Sequence, residues 1–434
     1  MNGNPMPATR AAGFTLVEIL VGLTLGLIAI IVMYQVFAVF ESQRRTTTTG
    51  SDAQTTGLIG LYQMEAEGRM AGYGLMYNEF SKEAVGSLQS PYNGGVLCRE
   101  IQAYAAGAPL PPIPAMPIRI VDGSTKAGGS AQEPDDVIIM YANSPLAGTP
   151  GQLKSSIFGK AGDVLAVSSF GHNGLPMNIT NLDAGDPRSW VASPAAAGGE
   201  KTRFILIGKP QWTAGTKQPC LRLQATKVTE DSDKTQVLVE YDPAKPANPA
   251  SGTVFPATPP YMADPHFPVN VFLTGTFAIN EYKVNKAARQ LVYTDGAASP
   301  PMSNVIGEEV VTMQARYGYD DAGVLRWTPA TGLWLEPWKK DVTHANAVER
   351  IRAVRVVLVT RGNLPERDVV SRACGTTTPA GTNEVCVWWD DKPSAENRID
   401  LLLPADWANY RYRVYETTIP LRNALWAANY GKLP

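Results

Sequence analysis

From Ile19 to Phe40 the chain carries no charged residue. An α-helix needs about 20 apolar residues to cross the ~30 Å hydrocarbon core of a bilayer, so this run has the length of a membrane span. It opens at Phe14, behind a short polar leader that ends at Gly13, and a single acid, Glu18, interrupts its start. A carboxylate in lipid costs a few kcal/mol, roughly 2–4 even on lenient scales, so Glu18 requires a reason. A cleavable secretory signal has a shorter apolar core followed by a small-residue cleavage site, and nothing of that form follows Phe40. A plain membrane anchor would leave Glu18 snorkelling to the interface.

The sequence G-F-T-L-V-E (Gly13 to Glu18) resembles instead the type IV prepilin signal: a polar leader with one basic residue, Arg10, then glycine, phenylalanine, and an acid fifth in the mature chain. The resemblance implies that a prepilin peptidase cuts between Gly13 and Phe14 and methylates the new amino terminus on Phe14. It also implies that Glu18 pairs with the amino terminus of a neighbouring subunit during assembly. Four residues of helix rise only about 6 Å, so both charges lie near one membrane depth, and a buried carboxylate becomes tolerable beside an opposite charge. The resemblance further implies a leader on the cytoplasmic side, and the basic residues are ambiguous and slightly adverse to that orientation: Arg10 precedes the span and Arg44 and Arg45 follow it. The signal outweighs that count.

The same helix is expected to run on, from a membrane-spanning half over residues 14–40 to a periplasmic half over 41–72. No proline falls between Glu41 and Gly72, and Leu58, Leu61, Tyr62, Met64 and Met70 are spaced to share one helical face. Gly50, Gly57, Gly60 and Gly68 count against a straight rod, and Gly72 and Gly74 supply a stop. Gly22 and Gly26 make a G-x-x-x-G pair that permits close helix approach in a membrane, although glycine is frequent in such helices anyway.

Beyond Tyr73 the pattern becomes strand-like. Strands are expected at Val137–Ala142, Asp163–Phe170, Arg203–Gly208, Leu221–Val228, Gln236–Tyr241, Asn270–Val284, Gln290–Thr294, Glu308–Tyr319, Ala353–Arg361 and Tyr410–Leu421. Asp341–Ile351 reads as a short helix, and Ala105–Pro117, Ser193–Gly199 and Asp242–Pro260 as surface loops. The fold class is therefore α+β: a long amino-terminal helix followed by a large β-rich head over 73–434, with an insertion or extra lobe within 75–300. Arg352, Arg355 and Arg361 are expected on the solvent face of their strand, with subunit docking as the other reading. Tyr410, Tyr412 and Tyr415 read as packing residues on alternating faces.

Four cysteines suit an oxidising compartment. Cys374 and Cys386 close a short Gly/Thr/Pro loop between strand-like runs and are expected to bond. Cys98 and Cys220 remain as partners by elimination, although four cysteines allow three pairings and unpaired buried thiols also fit.

Chemistry is sparse. His172, His266 and His344 stand far apart, and no H-E-x-x-H, C-x-x-C, P-loop or G-x-S-x-G is present. Asp135–Asp136 and Asp320–Asp321 lack calcium-loop spacing, so no metal or cofactor is expected, nor an enzyme. A net charge of −2 gives no basic field for nucleic acid.

Several segments resemble the PilW-type minor pilins: R-M-A-G-Y-G (Arg69 to Gly74), V-V-T-M-Q-A-R-Y-G-Y-D (Val310 to Asp320), I-R-A-V-R-V-V-L-V-T-R-G (Ile351 to Gly362) and Y-R-Y-R-V-Y-E-T-T-I-P-L-R-N (Tyr410 to Asn423). The resemblance implies a structural subunit of a type IV pilus tip or initiation complex. Its implied partners are other minor pilins, the major pilin, a tip adhesin and the prepilin peptidase. It would sit first in the inner membrane with a periplasmic head, and then in the pilus. A J-type minor pseudopilin of type II secretion is the second reading, and a pilus-associated adhesive subunit the third.

Overall fold

The computed structural model describes residues 15–77, 95–96, most of 100–142, short stretches within 151–275, and 277–423 apart from 297–300, 339–346 and several positions between 381 and 404. Gly13, Phe14 and Cys98 lie outside the described residues, as do the loops expected at 193–199 and, except for Asn248, at 242–260.

One helix, α1 (Leu16–Gly68), dominates the amino-terminal part. Its 53 residues span about 80 Å at 1.5 Å each. Thr15 caps it: its hydroxyl accepts the Glu18 N–H at 3.2 Å, and its own N–H donates to Glu18 Oε2 at 3.0 Å. This reciprocal capping box satisfies two groups that a helix start otherwise leaves open. At the other end Gly72 and Gly74 adopt φ of 79° and 74°, a left-handed conformation that costs glycine little.

Nine head strands form two antiparallel sheets against α1. The first sheet holds β1 (Ile118–Val121), β2 (Asp136–Tyr141), β3 (Ala278–Asn285), β4 (Gln290–Asp295) and β5 (Met302–Glu308), in the order β5-β4-β3-β2-β1. The second holds β6 (Val310–Asp321), β7 (Val324–Thr328), β8 (Ile351–Arg361) and β9 (Tyr412–Pro420), in the order β7-β6-β8-β9. The chain passes from one sheet to the other through a single residue. Glu309, between β5 and β6, takes φ 55°, and its carboxylate receives Arg289 at 2.9 Å and Arg361 at 2.8 Å. Burial alone would raise that carboxyl, but the two guanidinium hydrogen bonds outweigh it and hold it low.

The core lies between helix and sheets, where Leu61, Met64, Ile118, Tyr282, Leu291, Met313, Tyr317, Val354, Leu358 and Ile419 are buried. The two sheets are also joined directly. Tyr317 Oη of β6 accepts the Ile120 N–H of β1 at 2.7 Å. Asp135 fills the edge of β6 above the shorter β7, accepting the Ala315 N–H and the Gly123 N–H, each at 2.7 Å. A third, nine-stranded sheet collects strands from 100–102 to 270–275. It meets the outer face of the first sheet where Ile101 and Cys220 pack with Ile138, Met140 and Phe277.

Several expectations require correction. Asn270–Val284 is two strands, Asn270–Gly275 and Ala278–Asn285, divided at a turn in which Phe277 takes φ 40°. Leu221–Val228 likewise splits into Cys220–Gln224 and Lys227–Glu230. The proline-rich stretch 105–117 is not all loop, because Ile113–Pro114 pairs with Glu100–Ile101. Of the helix expected at 341–351, only Ala347–Arg350 is helical among the described residues, and Ile351 already begins β8.

Arg355 and Arg361 are not on a solvent face. They are 8% and 4% exposed, because β8 is covered on both sides. Val354, Val356 and Leu358 face the α1 core. Val357 and Val359 face Val385, Val387, Tyr410 and Tyr412 from the carboxy-terminal excursion. Arg361 stacks on Tyr410 at 3.9 Å and Arg355 bonds Glu416 at 2.8 Å, so each buried cation is matched.

Cys374 and Cys386 form a disulfide with Cα atoms 5.1 Å apart. Cys220 is disulfide-bonded as well.

Candidate assembly interface

Among the described residues, none of the membrane-length window within Leu16–Glu41 is buried against the rest of the chain. Leu16 to Phe40 expose every large apolar side chain, from Leu20 and Leu27 to Phe37. Gly22 and Gly26 are equally bare, and a Cβ added at either would meet no atom within 4 Å. They flatten one strip of the helix, but the isolated chain does not bring them against any element. Glu18 sits on this segment at the capping box, where both Thr15 bonds (the hydroxyl at 2.9 Å and the N–H at 3.0 Å) fall on Oε2.

Outside the membrane length the helix becomes two-faced, and not in the way the apolar spacing suggests. Leu61 and Met64 are buried, whereas Leu58 and Tyr62 are 52% and 75% exposed, with Ile59 and Met70 also exposed. At 100° per residue the expected single face is in fact two opposite stripes. The buried stripe is built from small residues. A Cβ on Gly57 would lie 2.3 Å from the Tyr415 ring, one on Gly60 2.7 Å from Leu291, and one on Gly68 2.5 Å from Ile419. Ala53 and Ala71 continue the stripe. The glycines are thus the seat on which the helix backbone meets the sheets, and the signal for it in the sequence is the helical spacing of 53, 57, 60, 64, 68 and 71. The close approach drives the larger apolar side chains to the opposite side, where nothing in the chain covers them.

Polar contacts fasten this seat at three levels. Thr360 Oγ1 donates to the Ala53 carbonyl at 3.1 Å. Asn280 Nδ2 donates to Glu67 at 2.9 Å, and Asn423 Nδ2 donates to the Ala71 carbonyl at 2.9 Å. Burial pushes the Glu67 carboxyl up. Burial and then the nearby Glu67 charge push the Tyr141 hydroxyl up to about 12 and raise those of Tyr282 and Tyr293 as well. Nothing local in the sequence marks Glu67 or Asn423 as a helix fastener, because their partners lie hundreds of residues away.

The aspartate pairs serve structure. Asp136 bonds Lys126 at 2.8 Å, while Asp321 bonds Arg326 at 2.8 Å and Arg350 at 3.1 Å. The one cluster with metal-ligand geometry among the described residues is Cys374, Glu384 and Cys386, whose sulfurs are consumed by the disulfide.

A membrane-length helix, single among the described residues, continued outward and laid across a β-rich head, is consistent with the α+β architecture of type IV pilin-like subunits. Residues 276–423 match the model of the PilW family, type IV pilus-assembly protein W. That match covers less than half of the chain, runs from β3 to Asn423, and supports a PilW-type pilus protein with a role in type IV pilus assembly. None of the curated proteins or solved structures is a match to the chain.

Proposed function

We propose that this chain is a minor pilin, a structural subunit of the tip or initiation complex of a type IV pilus. The observation that carries the reading is the bare membrane-length helix together with a second exposed apolar row, Leu58, Ile59, Tyr62 and Met70, set beyond the polar stretch 41–57 on the side of α1 turned away from the head. Apolar surface of that extent is stable in water only when another surface covers it. Helices of neighbouring subunits are such a surface.

In this reading the leader is removed between Gly13 and Phe14, and Phe14 is methylated. The chain waits in the inner membrane with its head in the periplasm, and then enters the fibre beside other minor pilins, the major pilin and a tip adhesin. Glu18 meets the new amino terminus of a neighbour. Oε2 is held by Thr15, which turns Oε1 to the incoming charge. Gly22 and Gly26 admit a neighbouring helix closely. A subunit at the extreme tip has no neighbour ahead of it, so the presence of Glu18 favours a seat below another subunit. The nine-stranded sheet is an added lobe on this plan. A J-type pseudopilin would share the helix and head, but the family match is to pilus assembly.

The test is the number of surface pili on cells lacking this chain, with retraction disabled. Pili should collapse in number and return with the intact gene but not with Glu18→Ala. Normal pili would reject this reading in favour of a secretion pseudopilin or a dispensable adhesive subunit.

A further inference from the structure

Strand β9 closes the second sheet, and among the described residues no strand pairs with its outer edge. Its register against β8 runs from Ala353↔Pro420 to Arg361↔Tyr412 without a bulge. Just beyond the two ends, Leu421 N–H donates to the Arg352 carbonyl and Gly362 N–H to the Arg411 carbonyl, both at 2.8 Å. Hydrogen-bonded and non-bonded pairs alternate in an antiparallel ladder. Residues 413, 415, 417 and 419 therefore spend their backbone groups on β8. Tyr412, Val414, Glu416 and Thr418 turn their N–H and C=O groups outward, and among the described residues no backbone group meets them.

Native sheets guard such edges by keeping them short, bulged or interrupted by proline. The other edges of the two head sheets follow that practice. Strand β7 has five residues and β1 four, and β5 is irregular opposite Leu291 and Val292. Strand β9 has nine, and its only proline is the last.

We propose that the outer edge of β9 is a docking site for an extended segment of a neighbouring, non-identical subunit, which adds a strand to the second sheet. This rests on the minor-pilin reading and deepens it. Strand direction selects the occupant. Gly57 lies on Tyr415 and Gly68 on Ile419, so β9 runs the same way as α1. Eleven helical residues rise ~16 Å and four strand residues ~13 Å, so the two elements keep step. Antiparallel pairing of β9 with a second copy about a twofold axis would point the two α1 helices in opposite directions, with their membrane segments at opposite ends. Subunits drawn from one membrane cannot do this, and parallel pairing of two copies, about an axis along the strand, would put their helices on opposite faces of the joined sheet, where neither lies along the other's outward side. A different subunit, already laid along the outward stripe of α1, brings its head alongside the same strand. Its segment would place an apolar residue beside the exposed Val414 and a basic one beside Glu416, whose carboxylate is about half exposed and already accepts Arg355.

The experiment compares hydrogen exchange at single amides for the full chain alone in detergent micelles and for the same chain in fibres sheared from cells. The Val414, Glu416 and Thr418 amides should exchange at least about tenfold more slowly in the fibres, and those of Arg413, Tyr415 and Thr417 at unchanged rates. Equal rates at the outward amides, or protection already complete in micelles through self-pairing, would overturn the proposal. Absence of the chain from sheared fibres would overturn the minor-pilin reading with it, whereas presence with an unprotected edge would overturn the edge alone. Thr418→Pro removes an outward donor and no ladder bond, so its melting temperature should hold while its fibre content falls severalfold. Val414→Lys, which charges the edge without touching the backbone, should do the same. Wild-type fibre content in the folded variants would refute the proposal.

Discussion

Gly68 offers the sharpest test of how the helix is seated. Gly68→Ala in an exposed helix would be stabilising by about 1 kcal/mol, the difference in helix propensity. Here the new Cβ would lie 2.5 Å from Ile419 Cγ2 and 3.2 Å from its Cδ1, with Ile118 Cδ1 at 3.6 Å. Ile419 is fully buried and β-branched, so its χ1 has little freedom to yield. Helix and strand must separate by about 1 Å or more to restore contact distance near 3.5–4 Å. Overpacking of this kind costs about 1–3 kcal/mol, and more where the backbone must shift. Gly68→Ala should therefore forfeit the propensity gain and lose up to about 2 kcal/mol net, read as a lower denaturation midpoint of the full chain in detergent micelles at an unchanged denaturant slope. Gly60→Ala meets only the terminal methyls of Leu291 and Leu358, at 2.7 and 3.4 Å, which can yield by side-chain rotation, and should cost less than Gly68→Ala. Gly22→Ala, with no neighbour within 4 Å, should leave the isolated chain at least as stable. A Gly68→Ala protein more stable than wild type by the full propensity gain of about 1 kcal/mol would show that the helix does not rest on the sheet through this stripe.

Two further outcomes follow from buried charge. Asp135 is raised by burial from 3.8 to about 7, against the lowering effect of its backbone hydrogen bonds. The folded state thus holds a proton that the unfolded chain has released, and this group's contribution to stability is fully present below about pH 4 and lost as pH rises through about 7. Asp135→Asn should abolish that slope in urea titrations. It should also cost about 1–3 kcal/mol, because an amide nitrogen would then oppose the Gly123 or Ala315 N–H; an unchanged pH slope would refute the assignment. Glu309→Gln leaves Arg361, 4% exposed, without its anion. An uncompensated buried charge costs about 3–5 kcal/mol, so thermal melting should fall steeply, and a variant within error of wild type would refute the pin between the sheets.

What the sequence by itself determined was local. The uncharged run from Ile19 to Phe40 demanded a membrane-length helix, because length and charge decide that without reference to any partner. Period-2 runs located six of the nine strands in the two sheets against α1, missing Ile118–Val121, Met302–Glu308 and Val324–Thr328, and the twelve-residue spacing of Cys374 and Cys386 closed a loop that the structure bonds. Tertiary structure decided which side of each element is inside. The apolar residues of the outer helix were legible, but Leu58 and Tyr62 face outward because the glycines opposite let the backbone come down on Tyr415 and Ile419. Arg355 and Arg361 carry the charge of surface residues and are buried, because a distant excursion covers the second face of β8 and supplies Tyr410. Glu308–Tyr319 reads as one strand, yet it contains the corner at Glu309 where two sheets part. A period records that a segment has two sides, and only the elements that arrive from elsewhere in the chain determine which of them is kept from water.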